Sequence, residues 1–264
     1  MRRWRCYPAR RLVLATDLDG TLVDDAGALS HLNVWFSTRR ARVTLVYLTG
    51  RHYASALELI DTEKLLPPDI LVTDVGSEIR FAPAYQLDME WKNRVSRGWT
   101  PAAIRQQLAD LPGLTPQPLP STLRLGYYTA GVLEDAEEKV RGILEKAGLP
   151  GRVVASTGGM VDVLPAGAGK GPALSYLQQK MGWDSRSLLV CGDSGNDLDM
   201  LTLGFATVLV GNAAPELAAA PLPETVYRAR RPSAGGIFEA LQFYGFTESL
   251  KLFCSPTSHF PPLN

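Results

Sequence analysis

The sequence predicts an α/β fold: a doubly wound, mostly parallel sheet, with a smaller α+β module inserted into it. Three observations carry the prediction. Short, nearly continuous apolar runs lie near both ends of the chain, the kind that become parallel strands covered on two faces. Helix-like segments alternate with them, as βαβ units require. In the middle the pattern shifts to alternating strands, a proline-rich connector (PGLTPQPLPS) and amphipathic helices. The resulting division is 1–80 and 160–250 for the α/β core, 81–159 for the inserted cap, and 251–264 for an irregular tail.

Residues 12–16 (LVLAT) are the first predicted strand and 43–49 (VTLVYLT) the second. SHLNVWFSTRR between them reads as a short helix, which completes a crossover. HYASALELIDTEKLL follows with Ala54, Leu57, Ile60, Leu65 and Leu66 near helical spacing. The double proline of PPDILVTDVGSEI stops that helix and opens a third strand. In the insert, Thr100 is a good N-cap and Pro101 a good first residue for the helix TPAAIRQQLADL. LRLGYYT alternates like a half-solvated strand, and VLEDAEEKVRGILEKAG is an amphipathic helix ending at Gly148. RVVAST and MVDVLP are strand-like. SLLVCGD (187–193) and FATVLVG (205–211) then resume the apolar strands, with helical DLDML and APELAA among them.

The 264 residues suffice for a sizeable core, and 45% of them are apolar. Lys plus Arg and Asp plus Glu both number 27, so no global charge favours nucleic acid or an anionic membrane. No apolar stretch approaches the roughly 20 residues that span a bilayer. The basic start MRRWRCYPARR leads into an apolar segment too short for a signal peptide. Cys6, Cys191 and Cys254 form neither a disulfide framework nor a zinc pattern, so a reducing, cytoplasmic setting is expected. Cys191 reads as a small core residue, and His259 in the tail has no partner at metal-ligand spacing.

The stretch LVLATDLDGTLVDD places Asp17 and Asp19 where the first strand meets its turn. Alone, Asp-x-Asp-Gly is most often a turn. A calcium loop would need an acidic or Asn residue at Thr21 and a Glu at Ala28, and has neither. Asp24 and Asp25 read as the solvated exit of the turn. The context is more telling, because parallel sheets bind ligands outside the carboxyl ends of their strands. The second strand ends in Thr49, Gly50 and Arg51, and a later one in GDSGND, with Asp193, Asn196 and Asp197. Lys170, in GAGKG, opens a helix whose start and flanking glycines suit an anion.

The ordered set DxDGT, TGR, Lys and GDSGND resembles the haloacid dehalogenase-like phosphohydrolases. That resemblance implies Asp17 as nucleophile, Asp19 as general acid and base, and Thr49 and Lys170 as ligands of the transferring phosphoryl group. It implies magnesium held by Asp17, the Asp19 backbone carbonyl and Asp193, with Asp197 in support and Asn196 nearby. Such chemistry needs these groups, since a phosphate dianion repels a carboxylate nucleophile unless a cation and donors offset the charge. An acid at position 19 favours ester hydrolysis over the dehalogenase and ion-pump branches of the superfamily.

YLTGRHYASALEL, VTDVGSEI, VDVLPAGAGKGPALSYL, VCGDSGNDLDML and VLVGNAAPEL are similar to the sucrose-phosphate phosphatase group of plants and cyanobacteria. Gly20 departs from the Asn common in that group and matches related sugar phosphatases. The resemblance implies sucrose 6-phosphate as substrate, a cap closing over a small metabolite, and sucrose-phosphate synthase as a candidate partner of a monomer. Gly50, Arg51, Ser77, Glu78 and Asn196 are then expected near the phosphate and first sugar, although Ser77 and Glu78 read equally well as a solvated turn. Trp91, Trp99, Tyr127 and Tyr128 read as core, and Asp162 either faces the cleft or fixes a strand end. The alternatives are a phosphatase for mannosylfructose phosphate or glucosylglycerol phosphate, and a non-catalytic phosphosugar sensor. A receiver domain also uses carboxylates, a Thr and a Lys, but is far shorter and has no cap.

Overall fold

The computed structural model describes residues 11–130, 133–156 and 158–250. The basic start with Cys6, and the tail with Cys254 and His259, lie outside the described residues. The chain begins with β1 (Leu12–Thr16), α1 (Ala26–Ser37), β2 (Val43–Leu48), α2 (Tyr53–Thr62) and β3 (Ile70–Thr73). It reverses into β4 (Glu78–Phe81) and β5 (Gln86–Leu87), followed by α3 (Met89–Val95) and α4 (Pro101–Leu108). Next come β6 (Leu114–Pro116), β7 (Leu125–Thr129), α5 (Leu133–Lys146), β8 (Arg152–Ser156) and β9 (Met160–Leu164). The return comprises α6 (Lys170–Met181), β10 (Leu188–Gly192), α7 (Leu198–Leu201), β11 (Ala206–Leu209), α8 (Pro215–Ala219), β12 (Val226–Arg228), α9 (Ser233–Phe243) and α10 (Phe246–Ser249).

Eight strands form one sheet in the order β12-β11-β10-β1-β2-β3-β4-β5, parallel except for the antiparallel β4 and β5. Alternate side chains of the central strands supply its two cores. Leu12, Leu14, Val43, Leu45 and Tyr47 pack with Leu32 and Phe36 of α1 and Ile237 and Leu241 of α9. Val13, Ala15, Val46 and Leu48 face the other way, onto Trp91 of α3, Leu174 and Leu177 of α6, and Met200 of α7. Both faces are covered, which is why these strands read as unbroken apolar runs.

Four strands, β6-β7-β9-β8, form a second, antiparallel sheet. One face buries Leu125, Tyr127, Val153, Val161 and Val163 against Ile104 and Leu108 of α4 and Val140 and Leu144 of α5. Among the described residues, α4 and α5 leave the opposite face uncovered, and Val154 on it joins the core of the large sheet. By strand alternation this face presents Arg124, Gly126, Tyr128, Arg152, Val154 and Asp162.

Several expectations need correction. The small sheet takes in Met160–Leu164, placed in the core by the division at 160, while Phe81 and Gln86–Leu87 belong to the large sheet rather than the cap. Alternating residues look alike whichever sheet they join. The third strand ends at Thr73, where Asp74, Val75 and Gly76 all take positive φ and turn the chain back into the antiparallel β4, a reversal the parallel reading did not foresee. Thr100 stands at the N-cap of α4 but its hydroxyl makes no capping bond. The second helix ends at Thr62, so Leu65 and Leu66 follow it. Trp91 belongs to the core of the large sheet and donates its indole N–H to the Gly76 carbonyl. Asp24 and Asp25 are not idle, since Asp24 accepts the Gly20 N–H at 2.9 Å and Asp25 caps α1 through the Ala28 N–H.

Candidate active site

The order of the large sheet places a topological switch at β1, whose chain continues to β2 on one side and meets β10 on the other. Ligands bind at such a crevice, beyond the carboxyl ends of the strands. Thr16 is in register with Tyr47 and with Cys191, so Asp17, Thr49 and Asp193 all leave the sheet along the same edge. That shared register turns three distant motifs into one site.

Asp17 is 4% exposed and Lys170 is fully buried. The Lys170 ammonium lies 2.8 Å from Asp17 Oδ1 and 2.6 Å from Asp197 Oδ1. The second Asp197 oxygen accepts the backbone N–H groups of Asp193 and Ser194, at 2.9 and 3.1 Å. Asp197 is thus fully engaged, orienting both the lysine and the turn that carries Asp193. Thr21 donates its hydroxyl to Asp193 Oδ1 at 2.6 Å. Burial opposes the Lys170 charge, but Asp17 and Asp197 outweigh it and hold the ammonium above its ordinary pKa. Burial also pushes Asp17 well above the usual carboxylate range, against the pull of Lys170. Asp193 is raised to about 6, again chiefly by burial, with Asp197 adding to it.

Carboxylate oxygens of Asp17, Asp193 and Asp197 lie within 4.8 Å of one another, a hard-oxygen donor set suited to a divalent cation. When ionised, three carboxylates against one ammonium leave two negative charges uncompensated in a buried pocket, which a dication would neutralise. Space is kept for that cluster by Gly20. A Cβ there would stand 2.4 Å from Asp193 Oδ2. The residues present fit a metal.

The Asp19 carboxylate does not join the cluster. It is held at the rim by the Arg51 fork, with Nη2 and Nε donating at 2.7 and 2.8 Å. Thr49 is fully buried, and its hydroxyl oxygen accepts the Arg51 N–H at 3.1 Å, leaving its own proton to donate. Asn196 approaches Gly50, its Nδ2 3.6 Å from where a Cβ would be. Ser77 is fully buried with no hydrogen-bond partner for its hydroxyl among the described residues. Glu78 pairs with Arg80 at 2.9 Å. Neither Ser77 nor Glu78 is a solvated turn.

The start of α6 differs from expectation. A Cβ on Gly171 would lie 2.6 Å from the Asp199 backbone, and one on Gly169 would lie 2.6 Å from the Asp199 carboxylate. Gly169 and Gly171 therefore serve close packing here, while a Cβ on Gly167 would meet open space. A cavity of about 770 Å³ lies between α5, β8 and α8, but it opens beside Asn196 and Asp199 and none of Asp17, Lys170 or Asp193 lines it.

Sequence reasoning missed Thr21, weighed only as a calcium-loop position, and Asn212. The Asn212 amide donates to the Gly20 carbonyl at 2.7 Å and accepts the Ser233 N–H at 2.8 Å. Its place in VLVGNAAPEL, directly after a strand, was the available signal. Arg124 was missed with no signal in the sequence. No helix among the described residues is long and apolar enough to cross a membrane.

Comparison with known proteins gives consistent matches. Residues 10–245 match the family model described as sucrose-6F-phosphate phosphohydrolase. Sucrose-phosphatase 1 of Nicotiana tabacum is 32% identical over 88% of this chain and 59% of its own length. The chain thus spans about three-fifths of such plant relatives. Mannosylfructose-phosphate phosphatase of Agrobacterium fabrum is 30% identical over 88% of this chain and 96% of its own. The sucrose-phosphatase of Synechocystis, solved in complex with sucrose and phosphate, superposes with a TM-score of 0.84 at 36% identity. That superposition covers 89% of this chain and 98% of the cyanobacterial one.

Proposed function

The chain belongs to the sucrose-6F-phosphate phosphohydrolase family, and from that premise and the site's geometry we propose that it hydrolyses sucrose 6-phosphate to sucrose and phosphate. The observation that carries the chemistry is the buried Asp17–Lys170–Asp197 arrangement beside Asp193, at the sheet's switch point. Asp17 is the nucleophile, attacking phosphorus to form an aspartyl-phosphate as the sugar oxygen leaves. Lys170 neutralises charge on the transferring group, and the Thr49 hydroxyl donates to it. Asp19 protonates the leaving oxygen and then removes a proton from the water that hydrolyses the intermediate. Arg51 fixes the orientation of Asp19. Asp17 and Asp193 would hold the cation, with the Asp19 carbonyl, and Asp197 keeps Lys170 and Asp193 in place. A bound magnesium ion would screen the repulsion between Asp17 and the phosphate dianion.

Sucrose 6-phosphate as the substrate rests on the Synechocystis and tobacco relatives. Magnesium as the cation, supply of substrate by a sucrose-phosphate synthase, a monomeric state and a cytoplasmic setting belong to the same proposal. A second reading, mannosylfructose phosphate as substrate, is favoured by the relative whose length this chain nearly spans. A panel of sugar phosphates assayed for phosphate release with magnesium decides between them, with Asp17→Asn as the inactive control. Preference for sucrose 6-phosphate is expected. Another ester favoured more than about tenfold in kcat/KM, roughly 1.4 kcal/mol, would overturn the substrate.

A further inference from the structure

Arg124 immediately precedes β7, on the face of the cap sheet opposite α4 and α5, and is 7% exposed. Its guanidinium reaches three groups on three segments. Nε lies 3.1 Å from Asp162 Oδ1, on the neighbouring cap strand β9. Nη1 lies 3.8 Å from Asp74 Oδ1, in the turn after β3 of the large sheet. The same Nη1 donates to the backbone carbonyl of Gly50. A residue that only stabilised the cap would be satisfied by Asp162. Arg124 instead spends its fork across the boundary between the sheets.

Gly50 lies between two groups that face the reaction. Thr49 and Arg51 are joined through the Thr49 hydroxyl, and Arg51 grips Asp19 with two bonds. Any displacement of the Gly50 carbonyl therefore moves the phosphate donor and the acid–base carboxylate together. The chain of contacts runs Asp162, Arg124, Gly50, Arg51, Asp19.

We propose that Arg124 is a positioning residue that couples the cap to the Thr49–Arg51 turn, so that a sugar seated under the cap sets the groups that handle its phosphate. This rests on the phosphatase reading above. A misplacement of about 1 Å at reacting groups costs about a hundredfold in rate, so the coupling is large enough to measure. It should matter for a substrate whose sugar engages the cap, and little for one too small to do so.

The test compares wild type, Arg124→Gln and Arg124→Lys on sucrose 6-phosphate and on p-nitrophenyl phosphate, both with magnesium. In Arg124→Gln the ratio of kcat/KM for the sugar ester to that for the aryl ester should fall at least tenfold, mainly through kcat. Arg124→Lys should recover part of it, since an ammonium can reach either carboxylate but cannot fork to three partners. A ratio that falls less than tenfold overturns the inference, including the case of equal losses on both esters. If Arg124→Gln fails to fold by thermal unfolding, Asp162→Asn replaces it under the same criterion. A wild type that cleaves neither ester overturns the phosphatase reading and this inference with it; an active wild type with an unchanged ratio in the variants overturns the inference alone.

Discussion

Gly20 turns at φ +74° directly beneath Asp193. A methyl group there carries the left-handed penalty of about 1–2 kcal/mol and also displaces the carboxylate 2.4 Å away. Gly20→Ala should therefore lower the melting temperature and raise the magnesium concentration needed for half-maximal activity at least tenfold. An unchanged magnesium requirement would show that Asp193 is not the group this turn protects. Asp17 and Asp193 were readable because charge at the end of an apolar run is costly without a partner, and Lys170 because it opens a helix among glycines. Thr21 and Arg124 were not readable, because their significance lies in partners far along the chain. Thr21 meets Asp193 across 172 residues, and Arg124 meets Gly50 across 74.

The turn after β3 shows how an element can store a pH response. Burial pushes Asp74 up to about 7, despite Arg124, with Glu78 and Asp162 adding to the rise and the Ser121 hydroxyl opposing it. Burial likewise raises Asp162 to about 6 against the same arginine. An aspartate in an unfolded chain titrates near 4. Between about pH 4 and 7 the folded state therefore binds the Asp74 proton more tightly, and stability falls as pH rises through that window. Asp74→Asn removes the loss, so thermal unfolding should show it close to wild type at pH 5 and more stable at pH 8. A variant less stable than wild type at pH 8 would mean that attraction to Arg124 outweighs burial. At this scale the apolar strands β1, β2, β10 and β11 were legible, since strands buried on both faces announce themselves. The reversal after Thr73 was not, because Asp-Val-Gly does not announce three successive positive φ values.

Across the whole molecule, an acidic centre facing a single lysine links stability to metal. A cation that binds only the folded state adds about 2.7 kcal/mol at a hundredfold excess over its Kd. Magnesium should raise the melting temperature relative to a chelated sample, and Asp193→Asn should lose most of that rise. Equal melting temperatures with and without the ion would remove the metal from this site. The fold class was legible from alternation at both ends of the chain, while the allotment of β9 was not, because alternation does not reveal which sheet a strand joins.

The sheet order has a consequence for how the protein is made. β1 leaves the ribosome well before one of its two neighbours, β10, which begins only at Leu188. Until β10 emerges, β1 is an edge strand with an open hydrogen-bonding ladder, the kind of surface on which nascent chains misassociate. The acidic turn that follows β10 arrives with the strand that covers that edge. The nascent chain loses its exposed ladder and gains its reactive centre in the same event.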